Sequence, residues 1–232
     1  MNVILAIIVV AILGYFFGIA LVPFPFGMEK LTEVARLYLV DGIKDNNASN
    51  LVTSIVVNYR GFDTLGEVTV LFLAASGVAF LLHKCNCVRT FKKYEASEVA
   101  KTATGPLFPI FLVFGAYIFI HGHLTPGGGF QGGAVVATAT MFLMMAFKDY
   151  LPTHTPLSIT ESLAGLTFVG LGLMGLWFGN SFLANYLPKG DWNRLLSAGV
   201  IPLIYIAVGF KVGAELSALL ADMISAVKEE HK

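Results

Sequence analysis

Apolar positions along this chain fall into long runs cut by short polar stretches. The first run, Asn2 to Val22, is about the length needed to cross ~30 Å of hydrocarbon. No basic segment precedes it, and Leu21-Val-Pro-Phe-Pro-Phe26 makes a poor small-residue cleavage site, so it reads as a retained first transmembrane helix. Pro23 and Pro25 are expected to end it. From Met28 to Ile43 the period changes. Leu31, Val34, Ala35, Tyr38 and Leu39 recur at helical spacing, with Glu29, Lys30, Glu33 and Arg36 on the other side. That pattern predicts an amphipathic helix on the membrane surface or on a partner. Lys44 to Asn50 reads as a polar loop, and Asn50 to Asn58 is too short to span. The next apolar run, Val68 to Leu82, covers only about 22 Å as a helix. A full second span must therefore begin near Thr64 and take in Glu67.

His83 to Thr104 is a hydrophilic connector and divides the chain into two modules, 1–100 and 101–232. Beyond it, Ile110–Ile120 and Ala134–Phe147 flank the polar hinge His121-Gly-His123-Leu-Thr-Pro126-Gly-Gly-Gly129-Phe-Gln131-Gly-Gly133. So short a link predicts two antiparallel spans. Pro126 stops the first helix, since it lacks a backbone N–H and crowds the preceding turn. Gly127, Gly128 and Gly129 suit a reversal that needs positive φ. Gly132 and Gly133 open the second span, where the missing Cβ admits a neighbouring helix. A loop from Lys148 to Leu157, a fifth span from Ile159 to Phe178, and a sixth from Leu196 to Leu220 complete the pattern. The fold class is all-α: a polytopic membrane protein of six spans plus a surface helix.

Composition agrees with the pattern. Hydrophobic residues are 56%, charged residues 13%, and mean hydropathy is +0.75, outside the soluble range. A net charge of zero gives nucleic acid nothing to bind. Cys85 and Cys87 are too few for a closed zinc site and read as free thiols. Eight Lys/Arg residues fall on the side of the termini and six on the other, which places both termini in the cytoplasm.

The ionisable residues inside the spans are the candidates for chemistry. Glu67 has two readings: a capping box with Thr64 as N-cap, or a carboxylate on an ion path, with Asp63 one turn earlier. Lys211 falls near mid-membrane with Glu215 one turn on, on the same helix face. They read either as a self-neutralised packing pair or as a buried charge that gates or relays ions. Glu161, at the start of the fifth span, is expected among headgroups or in the N-terminal turn. His121 and His123 suit an interface turn or proton handling, since imidazole titrates near neutrality.

The hinge Gly122-His123-Leu-Thr-Pro126-Gly-Gly-Gly129-Phe-Gln-Gly132-Gly133 resembles the signature of the MrpB (MnhB) subunit of multisubunit sodium/proton antiporters. That resemblance runs from about Lys101 to the C-terminus. Upstream, Val57-Asn-Tyr-Arg60-Gly61-Phe62-Asp63-Thr64-Leu65-Gly66-Glu67 is similar to the C-terminal tail of the large MrpA subunit, which membrane-bound hydrogenases and their sulfur-reducing relatives carry as a separate small subunit. The chain thus resembles a fusion of the two. The resemblance implies a prokaryotic cell-membrane subunit of a Na⁺/H⁺ antiporter module, beside other Mrp-type subunits and a redox arm like that of hydrogenases or complex I. In that setting Asp63 and Glu67 would supply oxygen ligands or proton sites, and Lys211 and Glu215 would set the field within the bilayer. The long antiporter core, any iron–sulfur cysteine pattern and any nucleotide loop are missing from this sequence. The expectation is an accessory subunit with no cofactor of its own, its transported ions being Na⁺ and H⁺. A purely structural subunit, its charges only locking helices together, is the alternative.

Overall fold

A computed structural model of the chain describes residues 3–22, 32–84, 96–147 and 150–228. The proline stop at Pro23 and Pro25, Cys85 and Cys87, the middle of the basic connector and Lys148 lie outside these residues. The described residues are helical, without a strand. Six helices are long and apolar enough to cross a membrane: α1 (Val3–Leu21), α4 (Gly61–Lys84), α5 (Glu98–Ile120), α6 (Gly129–Ala146), α7 (His154–Gly179) and α8 (Ile201–Lys228). Two compact units are present, Met1–Leu37 and Tyr38–Lys232. The first holds α1, a 19-residue helix without a charged side chain, and the opening of α2 (Glu33–Asn46).

In the second unit α8 is the axis. Of its spanning window 61% is buried inside the chain, far more than in any other span. The reason lies in its small residues and in those of α6. A Cβ on Gly133 would meet the Gly209 carbonyl at 2.8 Å, and one on Gly129 would meet the Val208 Cβ at 2.6 Å. The α6 and α8 backbones therefore touch. A second close approach joins α5 to α6, where a Gly132 Cβ would lie 2.6 Å from the Gly115 carbonyl. Helix α7 packs along the other side of α8, and Phe168, Ile201, Ile204, Val208 and Val212 share one buried cluster.

Several helices begin earlier than their apolar runs, and local capping explains one of them. Helix α5 starts inside the predicted connector because the Ser97 hydroxyl accepts from the Ala100 N–H at 3.2 Å, with Glu98 in the first turn. Helix α7 starts at His154, within the predicted loop. Helix α2 runs through Asn46, whose side chain is wholly buried and donates to Ser54 Oγ at 2.5 Å, so the expected polar loop is partly a packed helix end. The 50–58 stretch forms a short turn, α3 (Leu51–Thr53), followed by a π-helical segment, Ser54–Tyr59. It ends at Arg60, and α4 begins at Gly61.

That early start removes the predicted capping box. Thr64 sits inside α4 and its hydroxyl donates to the Val56 carbonyl at 2.8 Å, tying α4 to the π segment. The hinge glycines also need correction. Of the three in the reversal, Gly128 alone has positive φ. A Cβ on Gly127 would instead meet the Ile118 carbonyl at 3.0 Å, so space and not backbone sign selects glycine there.

Candidate functional site

The predicted site residues separate into three places. The first is the interior between α7 and α8. Lys211, on the tenth helical position after Ile201, is about 15 Å from the start of α8. Its Nζ is 3.2 Å from Glu215 Oε2, one turn on, and 3.2 Å from Glu161 Oε1 on α7. The Phe72 ring of α4 closes a third side, its centroid 5.1 Å from the ammonium. The side chains are 11% (Lys211), 3% (Glu215) and 18% (Glu161) exposed. Glu215 Oε1 is buried and has no hydrogen-bond partner. Chemically this is a charged cluster in a low-dielectric interior, where removing one member leaves another uncompensated.

Glu161 is the residue that sequence reasoning missed. Starting the fifth span at Ile159 set this acid among headgroups; the extra turn from His154 carries it into the span, level with Lys211. The signal was present as a lone acid and a lone base in neighbouring apolar runs.

The second place is α4. Asp63 is paired with Arg60, Nε to Oδ2 2.6 Å, with both side chains more than half exposed. Glu67 is exposed as well, and it makes no hydrogen bond or ion pair among the described residues. Neither carboxylate reaches the Lys211 cluster. They face away from the chain.

The third is the hinge. His121 stacks on Tyr117 with centroids 4.3 Å apart, its Nδ1 3.2 Å from the Tyr117 carbonyl. His123 turns inward, is wholly buried, and neither ring nitrogen has a hydrogen-bond partner. Burial lowers its pKa from the ordinary value, against weaker upward pulls from the Arg194, Leu195 and Ile120 backbone. The reversal is held from outside. Asn50 Nδ2 donates to the Gly122 carbonyl at 2.8 Å and to the Thr125 carbonyl at 3.0 Å, while its backbone N–H donates to the His123 carbonyl at 3.0 Å. The Thr53 hydroxyl donates to the Gly122 carbonyl at 2.6 Å and accepts from the Tyr205 hydroxyl at 3.0 Å. Pro126 stays exposed at the tip.

Six apolar helices around a buried ion cluster define a multi-pass, all-α membrane protein. Its family follows from residues 99–218, which match the domain related to the MnhB subunit of Na⁺/H⁺ antiporters, and the chain belongs to that family. Residues 3–93 match a second family, the MBH component MbhE. A chain in the structure of the membrane-bound sulfane sulfur reductase, an archaeal respiratory membrane complex, is 44% identical, with a TM-score of 0.81 over 95% of this chain and 97% of that one. An uncharacterised protein of Methanocaldococcus jannaschii is 29% identical over 231 residues, 86% of this chain and 88% of that protein. A probable K⁺/H⁺ antiporter protein of Rhizobium meliloti, of the joined A/B type, is 26% identical over 247 residues, covering 93% of this chain and 24% of that longer protein. The chain is thus a membrane subunit of a cation/proton antiporter-like module and works beside other subunits of a complex.

Proposed function

We propose that this subunit lines or seals part of the cation path of a Na⁺/H⁺ antiporter module, within a redox-driven respiratory complex of the prokaryotic cell membrane. The observation that carries the reading is Lys211, an ammonium held inside a span by carboxylates from two helices. A charge so placed is costly unless it serves an ion path or a helix contact. Asp63 and Glu67 present hard oxygen donors on the outer face of α4, where a neighbouring subunit would complete the path. His121 and His123 stand at one mouth of the α5–α6 pair as candidates for proton handling. Both termini lie in the cytoplasm in this reading, a redox arm of hydrogenase or complex I type supplies the driving energy, and the chain holds no cofactor. The two family matches support reading the chain as two joined modules.

A structural subunit is the second reading. The same ion cluster favours it, because a lysine bridging α7 and α8 would also lock those helices. Purifying the tagged chain from native membranes identifies the attached subunits. Reconstituting that complex in vesicles with Glu67→Gln, or with all three cluster charges neutralised, then separates the two readings. Intact complexes that lose Na⁺-dependent H⁺ movement support the path. Intact complexes with full exchange leave only the structural role.

A further inference from the structure

The cluster on α7 and α8 has one base and two acids. With every group ionised it would carry a net charge of −1, from one ammonium and two carboxylates. Its carboxylate oxygens are unequally satisfied. Glu161 Oε1 and Glu215 Oε2 each accept from Lys211 Nζ at 3.2 Å, whereas Glu215 Oε1 is buried and accepts from nothing. Among the described residues nothing else charged is in contact to balance the excess. Helix α4 contributes the Phe72 ring while its Asp63 and Glu67 face away, α6 has no titratable residue, and α5 has none from Thr102 to Ile120 except Tyr117. On α7 the remaining titratable group, His154, is engaged with Asp222 at 3.5 Å. An uncompensated carboxylate in such surroundings costs far more than a neutral carboxyl group with one weakly satisfied oxygen.

We propose that Glu215 Oε1 is a proton-binding site, so that the cluster exchanges one proton with water while Lys211 and Glu161 remain an ion pair. On loading, an O–H bond forms at Oε1, a hydronium ion becomes water, and the cluster passes from −1 to neutral. On unloading the proton returns to water. Nothing is oxidised or reduced. Sodium is a poorer occupant, because hard cations take several oxygen ligands and the described residues hold no group of three or more His, Cys, Asp or Glu side chains able to cage a metal ion. The proposal deepens the ion-path reading by assigning the proton, and not Na⁺, to this cluster.

Infrared difference spectroscopy of the purified complex in lipid nanodiscs tests it without a transport assay. A protonated carboxyl group has a carbonyl stretch that a carboxylate lacks. The expected result is such a band that appears and disappears as pH is stepped, is missing from Glu215→Gln, moves in frequency in Glu215→Asp, and persists in Glu161→Gln. The aspartate variant keeps the test decisive where a glutamine variant does not assemble. No titrating band in the native complex, a band lost in Glu161→Gln but kept in Glu215→Gln, or a band abolished by Na⁺ at fixed pH would each overturn the assignment. The transport reading fails separately: a titrating Glu215 band together with undiminished Na⁺/H⁺ exchange in Glu215→Gln vesicles keeps the proton site and removes it from the path.

Discussion

Lys211 Nζ and Glu161 Oε1 lie 3.2 Å apart, joining α8 to α7 across fifty residues of sequence. This contact changes which substitutions are informative. Lys211→Met alone leaves two carboxylates facing each other with no cation between them. Breaking a buried ion pair from one side costs about 3–5 kcal/mol, so little assembled complex is expected. Replacing Lys211 and Glu215 by Met and Gln still strands Glu161. The triple change Lys211→Met, Glu161→Gln, Glu215→Gln removes every charge and should restore assembly, as apolar or neutral replacement of a whole buried cluster often does. Size-exclusion profiles of the three purified variants decide it, and equal yields from single and triple variants would show that the cluster is not a unit.

The contrast between Glu161 and Lys211 also shows what the sequence could and could not reveal. Six spans were legible because charge-free runs near 20 residues long have few alternatives to the bilayer. Lys211 and Glu215 were legible as a pair because helical spacing sets them on one face. Glu161 was not, since its depth depends on where α7 begins, and that turn carries no hydrophobic signal. The hinge was read as a reversal, correctly in its direction, but its glycines were credited with backbone freedom that only Gly128 uses. Their neighbours come from α5 and α8, and long-range contacts leave no local mark. The buried dock of Asn50 and Thr53 on the hinge was invisible for the same reason.

That dock gives a second prediction. Asn50 satisfies three hinge carbonyls through its backbone and side-chain N–H groups, and Thr53 reaches one of them as well. Asn50→Ala keeps the backbone donor but loses both side-chain bonds, leaving partly buried carbonyls short of partners at about 1–3 kcal/mol. The thermal midpoint of the purified complex should fall, and protease should cut the reversal sooner. An unchanged midpoint would mean that water replaces the amide without loss.

Close packing gives the third. A Cβ at Gly129 would sit 2.6 Å from Val208 Cβ and 2.9 Å from the Tyr205 carbonyl. Gly129→Ala must therefore push α6 from α8, at about 1–3 kcal/mol for overpacking of this kind. Gly66→Ala is the control, because a Cβ there meets nothing within 4 Å of this chain. Reduced yield of the first with normal yield of the second is the expected result. Normal assembly of Gly129→Ala would remove close approach as the reason for the glycine.

His123 supplies a pH dependence. Its folded pKa is lowered by burial, while in the unfolded chain it titrates near the ordinary value of about 6.5. Above that value the ring is neutral in both states and the full stability is present. As pH falls below it, the unfolded chain takes up a proton that the folded hinge refuses, so stability declines toward the lower folded pKa. His123→Leu should flatten this part of the midpoint-against-pH curve. If the native and variant curves run parallel below about pH 6.5, the buried ring is not the cause.

The last prediction concerns Glu67, which the fold leaves exposed on α4 within the segment long enough to span. Its sequence alternative was a cap on the first turn. The structure takes away that role, since α4 starts at Gly61 and the Thr64 hydroxyl is committed to the Val56 carbonyl. What remains is a carboxylate on the outer face of a spanning helix, without a partner among the described residues of this chain. A bare charge there would cost a few kcal/mol on insertion scales, so a neighbouring subunit or a wet path must meet it. Glu67→Gln keeps size and hydrogen-bonding capacity and removes only the charge. If the group serves the cation path, the variant complex should assemble in normal amounts yet lose at least tenfold in Na⁺-dependent H⁺ movement, a change of about 1.4 kcal/mol in the barrier. If a basic residue of a neighbour meets it only to hold the complex together, the same variant should instead dissociate on purification while any intact fraction transports fully. Comparing subunit stoichiometry with exchange per intact complex separates these outcomes, and full exchange in a fully assembled variant would refute both roles.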